Sequence, residues 1–186
     1  MNRALLFILT LSFLSCQAPK SRKANDSYFA TDSLLVRQLT LLDSLRPSLE
    51  KSAVVDGESE TAELPGEKVD WKSELDFLKQ VNLNDPALRG VYQVQTSGET
   101  KTYTLKPEEQ KAKFPVKRFV VTRYPSGVVK SVSAEVLEQS PLFFSKRDFS
   151  LEFGQNGKLQ DYMIHQEQKV QGADTVRVEL KGNLKY

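Results

Sequence analysis

From Val91 to the carboxy terminus, apolar side chains fall on every second residue and turn residues interrupt them at short intervals. Phe149, Leu151 and Phe153 alternate with Ser150 and Glu152, and Val176, Val178 and Leu180 alternate with Arg177, Glu179 and Lys181. A strand turns successive side chains to opposite faces, so this pattern puts one face on a core and leaves the other in water. The turns come in order. "SGE" separates "VYQVQT" from "TKTYTL", "PSG" separates "VKRFVVTRY" from "VVKSVSAEVLE", and "GQNG" (Gly154–Gly157) separates "FSLEFGQ" from "KLQDYMIHQ". "QGAD" (Gln171–Asp174) leads into the last segment, "TVRVELKGNLKY". Gly, Asn and Pro supply the backbone angles that tight hairpins need. Consecutive hairpins predict an antiparallel meander of about six to eight strands.

One wet face and one dry face require a cover, and the residues before Val91 supply it. In "DSLLVRQLTLLDSLRPSLEK", Leu35, Leu39, Leu42, Leu45 and Leu49 recur at helical spacing. Asp32 or Ser33 is the expected N-cap, and Pro47 should stop the helix near Leu45. A second helix is expected from Asp70, with Trp71, Leu75 and Leu78 on one face and Phe77 and Val81 widening it; Asp85-Pro86 then caps a short extra turn. Between the helices, "SAVVDGESETAELPGEKV" (Ser52–Val69) is acidic and broken by Gly57 and "LPG", and reads as a loop. The expectation is therefore an α+β domain over 32–186. Its N-terminal helices (32–89) pack on a curved antiparallel meander (90–186).

The chemistry-bearing residues are few. The chain has one histidine and one cysteine among its 186 residues, and 26 basic side chains against 24 acidic ones. Near-neutral charge gives no footprint for nucleic acid, and a single cysteine excludes an intrachain disulfide. No G-x-S-x-G elbow, S-x-x-K pair, phosphate-binding glycine loop or metal-ligand spacing is present, so no cofactor or metal is expected. His165 falls within a strand, in register with Leu159 and Met163, and reads as an ordinary strand histidine. Glu135 and Glu138 point to opposite faces of theirs. "KAKFPVKRF" gathers Lys111, Lys113, Lys117 and Arg118 around Phe114 and Phe119, a patch suited to anionic glycan or lipid headgroups, or simply a charged strand edge. "SPLFF" (Ser140–Phe144) is expected to plug the core end of the sheet.

The amino terminus carries the most specific signal. Met1-Asn2-Arg3 bears one positive charge, and "ALLFILTLSFL" (Ala4–Leu14) is an apolar run too short to span a bilayer but suited to an export signal. It ends in "FLSC", which resembles the lipobox of bacterial lipoproteins, although that family more commonly has Leu where Phe13 stands and a small residue where Leu14 stands. The resemblance covers residues 1–16. It implies removal of 1–15 and attachment of diacylglycerol and palmitate-type acyl chains to Cys16, anchoring the protein to a membrane of the bacterial envelope. The outer membrane is favoured, and the domain would face the periplasm or the cell surface. Residues 16–31 then form a polar tether with Lys20, Arg22 and Lys23 beside the bilayer.

Together these features point to a lipid-anchored envelope protein that binds rather than catalyses, its partner an envelope protein, a lipid or a glycan. One alternative is a lipid or lipoprotein carrier-receptor, similar in architecture to bacterial lipoprotein-sorting proteins, with an apolar cavity under the sheet. A further alternative is an envelope hydrolase using carboxylates from separate strands.

Overall fold

A computed structural model describes residues 28–109 and 114–186. These residues form one nine-stranded antiparallel sheet with short helices, an α+β or mainly-β arrangement. The strands are β1 (Ser48–Val55), β2 (Glu58–Leu64), β3 (Tyr92–Ser97), β4 (Thr100–Leu105), β5 (Val116–Arg123), β6 (Val129–Gln139), β7 (Phe143–Phe153), β8 (Leu159–Val170) and β9 (Val176–Lys185). Their spatial order is β2-β1-β9-β8-β7-β6-β5-β4-β3. The meander expected from Val91 onward is present hairpin by hairpin.

The segment expected to be a loop is instead part of the sheet. Residues 48–64 form the β1–β2 hairpin, and β1 pairs along its whole length with β9. The count therefore rises to nine strands, and the partition into a helical part before residue 90 and a meander after it does not hold. Asp56-Gly57 makes the turn with both residues at positive φ, 49° and 97°, which is the mirror-image turn that matches strand twist. Asp56 also accepts a hydrogen bond from the Arg177 amide at 3.0 Å, locking the turn to β9. β2 is an edge strand, exposed at every position but Leu64; its Glu58, Glu60 and Glu63 discourage pairing with another chain.

Helix α1 (Thr31–Leu45) ends where Pro47 demands, with Arg46 in the left-handed region donating its amide to Leu42. Its N-cap is Ala30, without a side-chain cap, rather than Asp32 or Ser33. Leu35 and Leu42 are buried, Leu45 is exposed, and Leu49 belongs to β1. α2 (Trp71–Glu74) is a single turn capped by Asp70, which accepts from the Ser73 amide and hydroxyl. The remainder of the expected second helix tightens into a 3-10 segment, Asp76–Val81, and Asp85 caps another at Pro86–Leu88 as anticipated.

The sheet's inner face carries the core. Val121, Val132, Leu151, Tyr162 and Gly182 occupy one cross-strand row, and Tyr103, Phe119, Ala134, Phe149 and Ile164 the next. Phe77 meets Phe149 edge-on at 5.0 Å and Tyr162 at 6.2 Å, joining the helical segments to the sheet. Leu42, Leu75, Leu78, Leu83 and Val81 are all but inaccessible, each burial contributing about 1.5–3 kcal/mol. Two polar clamps orient the cover. Buried Gln38 donates to the Gly157 carbonyl and accepts from the Leu159 amide, satisfying both ends of its amide. The Tyr162 hydroxyl donates to Glu74 at 2.6 Å, and Glu74 also holds Lys51 at 2.7 Å. At the other edge, the Tyr28 hydroxyl exchanges hydrogen bonds with both backbone groups of Tyr92.

Candidate functional site: the open face of the sheet

The outer face has no covering element among the described residues, and its side chains sort into rows running across the strands. Register places Ser52, Lys181, Met163, Ser150, Ser133, Val120 and Thr102 side by side, from β1 through β9, β8, β7, β6 and β5 to β4. Four of these are serine or threonine. The row on one flank reads Glu50, Asn183, Asp161, Glu152, Ser131, Thr122 and Thr100. On the other flank stand Val54, Glu179, His165, Asp148, Glu135, Arg118 and Thr104. The short side chains of Ser52, Ser150, Ser133 and Thr102, interrupted by Lys181 and Met163, make a shallow trough between the flanking rows, and strands about 4.8 Å apart give it a length of roughly 30 Å. Two depressions of about 280 and 430 Å³ share Ser150 and Met163 within it, and a third of about 580 Å³ continues from Asp148 and His165 towards Arg177.

Most wall charges are paired locally. Lys146 lies 3.3 Å from Asp148 and 3.8 Å from Glu135, and its ammonium pKa is raised, first by the hydrogen bond to Asp148. Lys181 pairs with Glu179, holding that carboxyl below its usual range, and Lys185 lies 2.8 Å from Glu50 and 3.4 Å from Glu63. Glu152 and Asp161 face each other directly across β7 and β8, and Asp161 is steadied by Asn183 at 2.5 Å. Burial pushes the Glu152 carboxyl up, Lys130 lowers it and Asp161 raises it.

His165 lies in the trough wall with both ring nitrogens engaged. Nδ1 is 3.2 Å from Glu179 and Nε2 is 2.9 Å from the Met163 sulfur. Its neighbours in the trough, Ser133 and Ser150, are not hydrogen-bonded to it, so the ring is spent within β8 and β9 rather than aimed at a hydroxyl. Among the described residues no group of three His, Cys, Asp or Glu is placed to hold a metal ion. The expected register with Leu159 fails. A shift between Glu152 and Phe153 inserts an extra residue in β8, so Leu159 packs in the core with Tyr162 and Ile164 while Met163 and His165 face out.

Of the expected basic patch, Phe114, Lys117, Arg118 and Phe119 fall among the described residues. Lys111 and Lys113 lie outside the described residues, as do Cys16 and the tether up to Ser27. Phe114 is half-buried against the core, and Lys117 turns back to donate to the Phe114 carbonyl at 2.7 Å. Phe119 is fully buried, while Arg118, alone of the described members of the set, stands in the trough wall, opposite Glu135. A bulge between Val116 and Arg118 produces this separation. "SPLFF" does not plug the core either: Leu142 is 65% exposed, and Phe143 and Phe144 are half-exposed at the outer end of β7. The trough was invisible beforehand, because its residues lie on seven strands and only their register aligns them.

No protein-family model, curated protein or solved structure matches the chain.

Proposed function

We propose that this is a lipid-anchored protein of the bacterial envelope whose domain is a non-catalytic binding module, engaging its partner along the open face of the sheet. The anchoring rests on one observation, the "FLSC" end of a short charged and apolar amino-terminal run. In support of binding, a row rich in serine and threonine crosses the sheet between hydrogen-bonding walls, which suits an extended polar partner, a segment of an envelope protein or a glycan strand. In support of a non-catalytic role, the lone histidine spends both nitrogens on Glu179 and Met163. On this reading the helices and the curve of the sheet serve to hold the open face rigid rather than to enclose a lipid.

The anchor is tested by Cys16→Ser in the native host, which should abolish incorporation of a palmitate analogue and release the protein from membranes. Labelling that persists in the variant rejects the anchor. The binding face is tested by placing a photo-crosslinking residue at Met163 or Ser133 in intact cells, with Lys72 as a control on the helical side. The reading requires the same product from both trough positions and none from the control. Lipid captured instead at inner-face positions would favour the carrier-receptor.

A further inference from the structure

A second concave site lies on the opposite face, where α1 begins. Its walls are the rings of Tyr28, Phe29 and Tyr103, and around it stand three cations, Arg37, Lys101 and Arg123, enclosing about 380 Å³. Among the described residues no aspartate or glutamate lines this cleft. Among the described residues none of the three cations forms an ion pair. The acid closest in sequence on α1, Asp32, is turned away to accept from the Asn82 amide at 2.8 Å.

One cation, Arg123, is held in place by the fold, and a second, Arg37, lies against a turn. The Arg123 guanidinium donates to the Gly127 carbonyl at 2.8 Å and lies over the Phe29 ring at 5.8 Å. Arg37 lies on the turn between β7 and β8, close enough that a Cβ on Gly157 would come within 3.1 Å of its Nη2; Gly157 itself is required by its φ of 74°. Lys101 projects from the inner face of β4 beside Val121. Like charges gathered without a counter-charge cost free energy until an anion arrives, and guanidinium forks match the oxygens of phosphate.

We infer that this cleft binds an organic phosphate, its phosphate on Arg37, Lys101 and Arg123 and its apolar portion against Tyr28, Phe29 and Tyr103. The volume suits a headgroup-sized or nucleotide-sized ligand. The phosphate has two sources, a phospholipid headgroup or a soluble phosphate ester. Tyr28 lines the cleft, and a fully extended chain from Cys16 to Tyr28 spans at most about 43 Å. An acylated Cys16 would therefore keep the cleft within reach of the bilayer surface. The phosphate chemistry does not depend on the anchor and stands if Cys16 is never acylated.

The test titrates the full chain, in a non-ionic detergent, with inorganic phosphate, with dihexanoyl phosphatidylglycerol and with dihexanoyl phosphatidylcholine, read by calorimetry. Saturable binding of phosphatidylglycerol well above phosphatidylcholine and phosphate identifies a headgroup. Comparable binding of inorganic phosphate and phosphatidylglycerol identifies a soluble ester as the source. Lys101→Gln, a change at an exposed position, should weaken binding about tenfold or more in either case. Arg123→Gln should do the same, while Lys79→Gln, an equal change of charge elsewhere, should leave it unchanged. Absence of saturable binding to every probe, or equal weakening by Lys79→Gln and Lys101→Gln, overturns the site.

Discussion

Alanine at Gly182 should destabilise the protein strongly, although glycine inside a strand is ordinarily a weakness. Without a neighbour in the way, Gly→Ala there would gain about 0.5–1 kcal/mol from backbone entropy. At this position a Cβ would lie 2.2 Å from Cε1 of Tyr162 and 2.7 Å from its hydroxyl oxygen, because the ring lies flat across the bare backbone of the facing residue. The ring cannot yield cheaply. It is 3% exposed, packs against Phe77, and delivers its hydroxyl to Glu74 at 2.6 Å. Overpacking costs about 1–3 kcal/mol, and loss of a hydrogen bond to a charged acceptor about 1.5–3 kcal/mol. The net expectation is a loss of about 2–5 kcal/mol. Urea unfolding followed by the fluorescence of Trp71, the one tryptophan and a buried one, reads it directly. A double-mutant cycle separates the clash from generic strand effects. Tyr162→Leu alone should cost about 2–4 kcal/mol, but with the ring gone Gly182→Ala should cost little, leaving a coupling nearly as large as the Gly182→Ala effect itself, about 2–5 kcal/mol. A Gly182→Ala protein as stable as its parent, or single effects that add to within about 0.5 kcal/mol, would refute the reasoning.

Gln38→Leu should destabilise by about 2–4 kcal/mol despite placing a more apolar residue at a 1%-exposed site, since it strands the Gly157 carbonyl and the Leu159 amide without partners; an equal or higher urea midpoint would contradict this. Glu152→Gln should stabilise at neutral pH. The folded-state pKa of Glu152 is raised by burial, so the folded protein holds this proton more tightly than the unfolded chain and its stability falls as pH rises through the window above the ordinary value of 4.5. The variant's advantage should fade below that window, and a difference in urea midpoint that is constant from pH 4 to 8 would show that the carboxyl is not involved.

What could be read from the sequence follows from where burial leaves a period. β5 to β8 bury one face, so their alternation shows in the residues themselves, and the turns between β5 and β6, β7 and β8, and β8 and β9 fall where Gly, Asn or Pro predicts them; the turn between β6 and β7 is hidden in the apolar "SPLFF". β2 buries almost nothing: it is an edge strand reaching beyond the helical cover, and "ESETAEL" has no apolar alternation to display. Only Asp56-Gly57 signals that hairpin, and its acidic surroundings imitate a loop. The second helix misleads for the opposite reason. Trp71, Leu75, Leu78 and Val81 satisfy a helical period, but the segment must bury Phe77 and Leu78 together, and a 3-10 turn after Leu75 brings both down onto the sheet.

The candidate site is less legible because it depends on two irregularities that carry no sequence mark. The extra residue near Leu159 reverses the facing of everything after it in β8. Counted from Leu159 without the bulge, Met163 and His165 would enter the core. With it they stand beside Ser150 and Asp148 in the trough. The bulge before Arg118 acts likewise, sending Phe119 inward and Arg118 out to meet Glu135. Each inserted residue thus does two things at once: it keeps the large aromatic and aliphatic groups on the covered face, and it transfers a polar group to the open one. A chain with perfect alternation could not bury Leu159, Tyr162 and Ile164 together while presenting His165 and Met163 outward. The spacing across each bulge therefore lets one strand serve both faces: deleting Gln160 restores plain alternation from Leu159 through Tyr162 to Ile164 and should leave core and trough in place, whereas deleting Met163 sets Ile164 directly after Tyr162 and should disrupt the two together.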